Sequence, residues 1–336
     1  MPAPLHVVFN PGSGHGDADA VRQAITSACA AAGRPLRLLE VDGPGRLQAL
    51  ARQAVQAAQA DGGVVVAAGG DGTLNAVAQA VLGSGCAFGV LPQGTFNYFS
   101  RTHGIPADTA QAMQVLLHAQ PQPVQVGLVN GRVFLVNASL GLYPRLLHDR
   151  EAWKQQLGRH RLVALGAALA TLLRGHRNLR LGLQLRGQPH ALRTPTLFVG
   201  NNALQMEQVG LPQAQAIDAG ALAVVALKPV GRLALLGLAL RGALGRLGEA
   251  EQVIHFGCRS LEVRLPWPWG LRGVRVATDG ELQRLLPPLR FGVSPEPLLL
   301  IRPAAPAPER AAQAPADAQS GAQSGAQSGA PVAAPA

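Results

Sequence analysis

Hydrophobic positions in the first third of the chain switch repeatedly between two periods. Residues 5–9 form a near-continuous apolar run, the pattern of a buried strand, and end in Asn10-Pro11-Gly12-Ser13-Gly14-His15-Gly16. Val21, Ile25 and Ala28 then fall on one helical face, Gly33-Arg34-Pro35 breaks the pattern, and residues 36–41 read as a second strand. Leu47, Leu50, Ala51, Ala54, Val55 and Ala58 recur at helical spacing up to Asp61-Gly62-Gly63. Residues 64–68 are apolar on both faces, as a central parallel strand requires. A glycine turn, a helix over 74–82, a strand over 87–91, the turn Pro92-Gln93-Gly94-Thr95 and a third short helix follow. Strand, glycine turn and helix in repetition predict a parallel sheet with helices on its faces, whose ligands sit beyond the C-terminal strand ends.

Near Pro121-Gln122-Pro123 the texture changes. Asn130-Gly131 between the apolar runs 124–129 and 132–138 predicts a hairpin with a type I′ turn. Short strand candidates at 179–185, 196–199, 222–227, 260–265, 274–277 and 298–301 predict an antiparallel sandwich, interrupted by helical stretches at 157–173 and 233–247. Beyond 303 the chain is alanine, proline and polar residues with an Ala-Gln-Ser-Gly repeat, too poor in apolar surface to fold. The expected organisation is an α/β N-terminal domain with a parallel sheet (1–122), a mainly antiparallel β-sandwich second domain (123–302) and a disordered tail (303–336).

Composition narrows the partners. With 336 residues, 48% of them hydrophobic, the chain can bury the cores of two domains. The formal charge is +10, and all but two of the 29 basic residues are arginine, the exceptions being Lys154 and Lys228. These arginines are scattered without interleaved aromatics, which argues against nucleic acid and for anionic lipid or phosphate as the partner. Cys29, Cys86 and Cys258 are odd in number and widely spaced, which predicts a reducing, cytoplasmic setting. The immediate start of a strand predicts no secretory leader. The longest apolar run, 162–173, is short of the roughly 20 residues a membrane span needs, so any membrane contact is expected to be peripheral, at the inner face of the plasma membrane. That run is flanked by Arg159, His160 and Arg161 and by Arg174, His176 and Arg177; it suits either an interfacial helix or a core helix with solvated ends. Trp267 and Trp269 likewise suit either a headgroup boundary or a packed loop.

The candidate chemistry lies in the glycine turns. Gly69-Gly70-Asp71-Gly72-Thr73 joins a buried strand to a helix start, where free N–H groups and close backbone approach suit a phosphate. Asp71 there can reach a metal bound to phosphate; the alternative is a tight turn with an acidic cap. The loops 10–14 and 92–97 lie at neighbouring strand ends, and neither has the lysine-bearing P-loop pattern nor dinucleotide-fold spacing.

In order and spacing these segments resemble the diacylglycerol kinase catalytic family, which includes bacterial lipid kinases and sphingosine kinases. The resemblance rests on Asn10-Pro11-Gly12-Ser13-Gly14, Gly69–Thr73 and Leu91-Pro92-Gln93-Gly94-Thr95-Phe96-Asn97. It continues through Asn137-Ala138-Ser139-Leu140-Gly141, Val199-Gly200-Asn201-Asn202, Ile217-Asp218-Ala219-Gly220 and Asp279-Gly280-Glu281, covering about 4–302. It implies an ATP- and Mg²⁺-dependent kinase acting on the hydroxyl of a diacylglycerol-like or other long-chain lipid at a membrane surface, and is compatible with a homodimer. ATP would lie with its phosphates against Asn10, Pro11, Gly12, Ser13, Gly14, Gly69, Gly70, Asp71, Gly72 and Thr73, with Asn75 and Thr95 adding contacts. Asp71 and Glu281 would be catalytic, Glu281 as general base, and Asp71 and Asp218 would be the metal carboxylates. The chain departs from the family pattern at Tyr98 and Gln125, where aspartates are usual, and at Ala219, where the acid stands one residue earlier as Asp218. Alternative readings are an NAD kinase, which shares the Gly-Gly-Asp-Gly-Thr turn, and a nucleotide- or lipid-binding sensor without catalysis.

Overall fold

The computed structural model describes residues 2–13, 17–43, 45–142, 144, 178–185, 187–266 and 273–304. The candidate residues Gly14 and His15, the apolar run 162–173 with its basic flanks, Trp267, Trp269 and the tail beyond 304 lie outside these.

The alternating pattern forms as read. Strands β1 (Leu5–Phe9), β2 (Leu36–Glu40), β3 (Val64–Gly69) and β4 (Ala87–Pro92) alternate with helices α1 (Ala18–Ala31), α2 (Leu47–Asp61) and α3 (Asp71–Val81). Helices α4 (Tyr98–Thr102) and α5 (Thr109–His118) follow, the latter capped by the Asp108 carboxylate, which accepts from the Gln111 N–H at 2.9 Å. Every residue of β1 and β3 is buried. The strands stand in the order β2-β1-β3-β4, all parallel. Gly62, in the left-handed region at φ 67°, ends α2 as a C-cap.

The second layer begins with the edge strand β5 (Pro121–Val124), then β6 (Gly127–Val129), β7 (Arg132–Phe134) and β8 (Asn137–Gly141). Strands β9 (Leu179–Leu185), β10 (Gln188–Thr194) and β11 (Thr196–Gly200) lead to α6 (Ala203–Gln208) and α7 (Ala214–Asp218). After β12 (Leu222–Leu227) and α8 (Arg232–Ala243) come β13 (Val253–Cys258), β14 (Ser260–Arg264), β15 (Val274–Thr278), β16 (Glu281–Leu285), β17 (Leu289–Val293) and β18 (Leu298–Ile301). Two six-stranded antiparallel sheets result, β10-β9-β14-β17-β6-β7 and β13-β12-β11-β8-β15-β16. Their inner faces share one core, to which Phe134, Leu140, Leu183, Leu197, Val224, Val276 and Phe291 contribute. The antiparallel sandwich expected from short, turn-separated runs is thus present.

Two placements differ from the pattern. The apolar run 132–138 is one strand by sequence, but it breaks at Leu135 and Val136 into β7 of one sheet and β8 of the other. The break is a corner of buried residues, and the amides it leaves without strand partners find an acceptor described below. Strand β18, grouped by sequence with the sandwich, returns to the first sheet, parallel to β4 and antiparallel to β5. Strand β5 carries Pro121 and Pro123, which a sheet tolerates at its edge because the missing N–H groups can face outward.

Candidate active site

Three loops meet at the C-terminal edge of β1, β3 and β4. The Asn10 side chain organises the first: its Oδ1 accepts from the Gly12 N–H at 3.2 Å, and its Nδ2 donates to Thr73 Oγ1 at 3.0 Å. The Ser13 hydroxyl donates to the Asn10 carbonyl at 2.7 Å. The third loop is tied to the second by the Gln93 N–H on the Gly69 carbonyl at 2.8 Å. It is closed on itself by Asn97, in the left-handed region at φ 49°, whose amide bonds both the N–H and the carbonyl of Gly94. Gly94 has to be glycine because a Cβ there would stand 2.7 Å from Asn97 Oδ1 and 3.2 Å from Gly70 Cα. The sequence-predicted residues Asn10, Ser13, Gly70, Gly72, Thr73 and Asn75 line one cavity of about 450 Å³. Pro11 and Gly12 belong to the same loop, and Thr95 is exposed outside the lining.

The opposite wall comes from the sandwich. Asp279 and Gly280, at φ 48° and 89°, make the two-residue turn between β15 and β16, with Thr278 and Glu281 as the closing pair. This hairpin reaches over the first turn of α3. A Cβ on Gly72 would stand 2.9 Å from Glu281 Oε1, so the glycine makes room for the carboxylate. Glu281 lines the cavity with Thr278, Gln283, Gln79 and Arg132; the last is exposed and is the one cation in the lining among the described residues.

Asp279 holds the two walls together. Its carboxylate accepts from the N–H groups of Leu135, Val136 and Asn137 at 2.7, 2.8 and 2.9 Å, the amides freed where β7 turns into β8. The Asn75 Nδ2 on α3 donates to it at 2.7 Å, and also to the Val133 carbonyl at 2.9 Å. One acid thus fixes the sandwich corner, the hairpin bearing Glu281 and the helix bearing Asp71. Burial raises its pKa against the pull of those four donors. The sequence marked Asp279 as part of a family-like Asp-Gly-Glu motif but gave it no role of its own.

Asp71 is the strained member. Burial first, and the Asp279 carboxylate second, push its pKa up to about 6, with the Asn97 backbone N–H pulling the other way. Its Oδ1 is buried without a hydrogen-bond partner. A buried carboxylate oxygen with no donor, beside a phosphate-sized backbone cradle, suits a hard cation. Neither Asp71 nor Asp218 is part of the cavity lining, but Asp71 stands between the lining residues Gly70 and Gly72, whereas Asp218 ends α7, exposed; the carboxylate acting on Asp71 is Asp279. Among the described residues no three His, Cys, Asp or Glu side chains gather as a metal cage, so a cation at Asp71 would complete its shell from a ligand.

The diacylglycerol kinase catalytic domain profile matches residues 4–129. A Pseudomonas aeruginosa (strain UCBPP-PA14) protein named as a probable YegS-like lipid kinase is 32% identical over 268 residues, covering 76% of this chain and 82% of the relative. The chain belongs to the diacylglycerol kinase family of lipid kinases. A Bacillus subtilis diacylglycerol kinase is 37% identical over 99 residues, 29% of this chain and 33% of the relative. The fold matches the crystal structure of a Bacillus anthracis diacylglycerol kinase with a TM-score of 0.65 and 21% identity, over 90% of this chain and 97% of that one.

Within this lipid-kinase fold two of the departures, Gln125 and Tyr98, have contacts of their own. The Gln125 Nδ-equivalent amide, Nε2, donates to Asn201 Oδ1 at 2.7 Å and to the Ala221 carbonyl at 3.1 Å. Asn201 in turn donates to the Gln125 and Leu135 carbonyls at 3.3 and 3.1 Å. An aspartate at 125 has no proton to give either acceptor, so the amide is fitted to this neighbourhood. Tyr98 stacks on Phe96 with ring centroids 6.0 Å apart, and the Arg101 guanidinium lies 5.8 Å from the Tyr98 ring. Among the described residues no helix is long and apolar enough to cross a membrane.

Proposed function

We propose that this kinase transfers the γ-phosphoryl group of ATP to the hydroxyl of a diacylglycerol-like or other long-chain lipid, with Mg²⁺ as the metal. The observation carrying the proposal is the meeting, in one cavity, of the Asn10–Gly70–Thr73 cradle with a carboxylate, Glu281, delivered by the Asp-Gly hairpin over Gly72. The backbone N–H groups at the start of α3 receive phosphate oxygens, and Asn10 and Ser13 keep the facing loop in place. Asp71 is the residue to hold Mg²⁺, which supplies charge neutralisation for the phosphates when bound. Glu281, exposed to the cavity and unrestrained by any hydrogen bond among the described residues, takes the proton from the acceptor hydroxyl. The test is incubation of the full chain with labelled ATP and Mg²⁺ against diacylglycerol, a mixed lipid extract and NAD. Label in the diacylglycerol or lipid fraction is expected; label in NAD alone would replace the proposal with an NAD kinase. Nucleotide binding with no transfer to any acceptor would leave a sensor, the reading that neutral Tyr98 and Gln125 favour.

Gly72 offers a test that separates fold from chemistry. Its neighbour in the way of a Cβ is the far end of a flexible side chain, and it stands in the first turn of a helix. Gly72→Ala is therefore expected to leave thermal stability unchanged or raised by up to about 1 kcal/mol, since alanine is the better helix former. It pushes Glu281 aside, and a displacement of that order lowers turnover by about 10²-fold. Thermal unfolding and steady-state turnover of one purified variant check both halves.

A further inference from the structure

Helix α8 is apolar on two opposite faces. Leu235 and Leu238 are buried, and Leu238 packs with Met206, Leu211, Val225 and Val253 between α6, α7 and the outer face of β12 and β13. On the other side Leu233, Leu240 and Leu244 are 81%, 62% and 65% exposed. At about 100° per residue these three fall within about 20° of a common line along the helix. A Cβ added to Gly237, on the same side, would meet nothing within 4 Å. Of the five large hydrophobic side chains exposed among the described residues, three make this one stripe, while Phe96 and Leu286 stand apart on other elements.

The charges around the stripe are of one sign. Arg232 and Arg241 fall about 100° and 80° to its two sides, and neither has an ion-pair partner among the described residues. From residue 219 to residue 248 there is no acid, while Lys228, Arg232, Arg241 and Arg246 occur. Arg246 is paired with Glu249, on which the Arg241 charge also acts at longer range; Lys228 and Arg232 have no ion pair among the described residues. A twelve-residue helix is too short to span a bilayer, but a leucine ridge between two guanidiniums that enter no ion pair among the described residues matches the depth profile of a bilayer surface. The leucines reach the acyl boundary, and the arginines extend sideways to the phosphates. A second copy of the chain would meet the same positive rim, which disfavours self-association through this face. The tail beyond residue 304 has no leucine, isoleucine, methionine or aromatic residue to cover the stripe.

We propose that the outer face of α8 docks this protein on an anionic lipid bilayer, lying flat with Leu233, Leu240 and Leu244 inserted. Docking serves the proposed lipid-kinase function but stands on the helix itself. Through α6, which touches α4, and through the Asn202 Nδ2 bond to the Tyr98 carbonyl at 3.2 Å, the docked helix is joined to the loop of the phosphate cradle.

Flotation of the full chain with phosphatidylcholine vesicles, with and without phosphatidylglycerol, tests this. The wild type is expected to float with the anionic vesicles. The Leu233→Ser, Leu240→Ser, Leu244→Ser triple variant, altered only at exposed positions, should lose more than about a hundredfold in partitioning with its Tm unchanged. Arg232→Gln with Arg241→Gln should lose about fivefold per charge on anionic vesicles and little on neutral ones. Equal flotation of wild type and triple variant overturns the proposal. So does a wild-type dimer in solution that the triple variant converts to monomer, which makes the stripe an interface between copies. Transfer to dioctanoylglycerol in detergent micelles reports the function separately and should persist in the triple variant. Vesicle binding without any such transfer in the wild type keeps the docking surface and removes the kinase reading.

Discussion

Asp71→Asn is expected to abolish phosphoryl transfer while making the free protein more stable. The two effects have one origin. Burial and the Asp279 charge raise the Asp71 pKa from 3.8 to about 6, so the folded state binds this proton more tightly than the unfolded chain does. The stabilisation from that proton is complete below pH 3.8 and is lost as the pH rises through about 6. At neutral pH the ionised carboxylate therefore costs on the order of 3 kcal/mol. An asparagine has the same shape without the charge and should recover about 1–3 kcal/mol, a few degrees of Tm, in the absence of metal and nucleotide. Between pH 4 and 7 the wild type should lose stability relative to the variant as the pH increases. With Mg²⁺ and ATP present the order should reverse, because only the carboxylate offers the cation a charged oxygen. Thermal unfolding across pH, with and without MgATP, checks this. A variant no more stable than wild type in the free state would show that Asp71 is better compensated than its orphaned Oδ1 implies.

Glu281→Gln should lower turnover by about 10²–10⁴-fold with little change in ATP affinity. The amide keeps the reach over Gly72 and cannot accept the hydroxyl proton. If Glu281 instead shares the metal, affinity for ATP in Mg²⁺ falls together with turnover; if it is only a turn acid, neither moves. Nucleotide titration and transfer rates on the same preparation distinguish the outcomes. Asp279 must stay intact for the comparison, because its four hydrogen bonds hold the hairpin that presents Glu281.

Much of this architecture is legible in the sequence because it is local. The buried runs of β1, β3 and β4, the glycine turns after them and the Asn130-Gly131 hairpin each follow from a period or a dipeptide. The convergence of the three loops follows from parallel strand order. What escapes is set by partners distant in the chain. Asp279 stands in the sequence as the first residue of a family-like Asp-Gly-Glu motif with no role assigned, yet it caps amides 142 to 144 residues earlier. The run 132–138 has no breaker residue at Leu135 and Val136; the acceptor that permits the corner is on another hairpin. Asp218 stands beside a family-like Asp-Gly turn, and only the fold separates it from Asp71. The leucine stripe of α8 is hidden for a different reason: with both faces apolar, the helix gives no polar side from which to tell the buried face from the bare one.

Strand β18 has a consequence for synthesis. The first sheet needs a piece of chain made long after its other strands: among the described residues β5 pairs with β18 alone, and β18 lies between it and β4. While residues 125 to 297 are being translated, β4 has an unsatisfied edge and the prolines of β5 have no partner. The α/β half is thus a late product although its motifs are encoded first. A nascent or truncated chain that stops before Leu298 carries the loops after β1, β3 and β4 on an unfinished sheet, so the candidate site is coupled to synthesis of the sandwich that precedes β18.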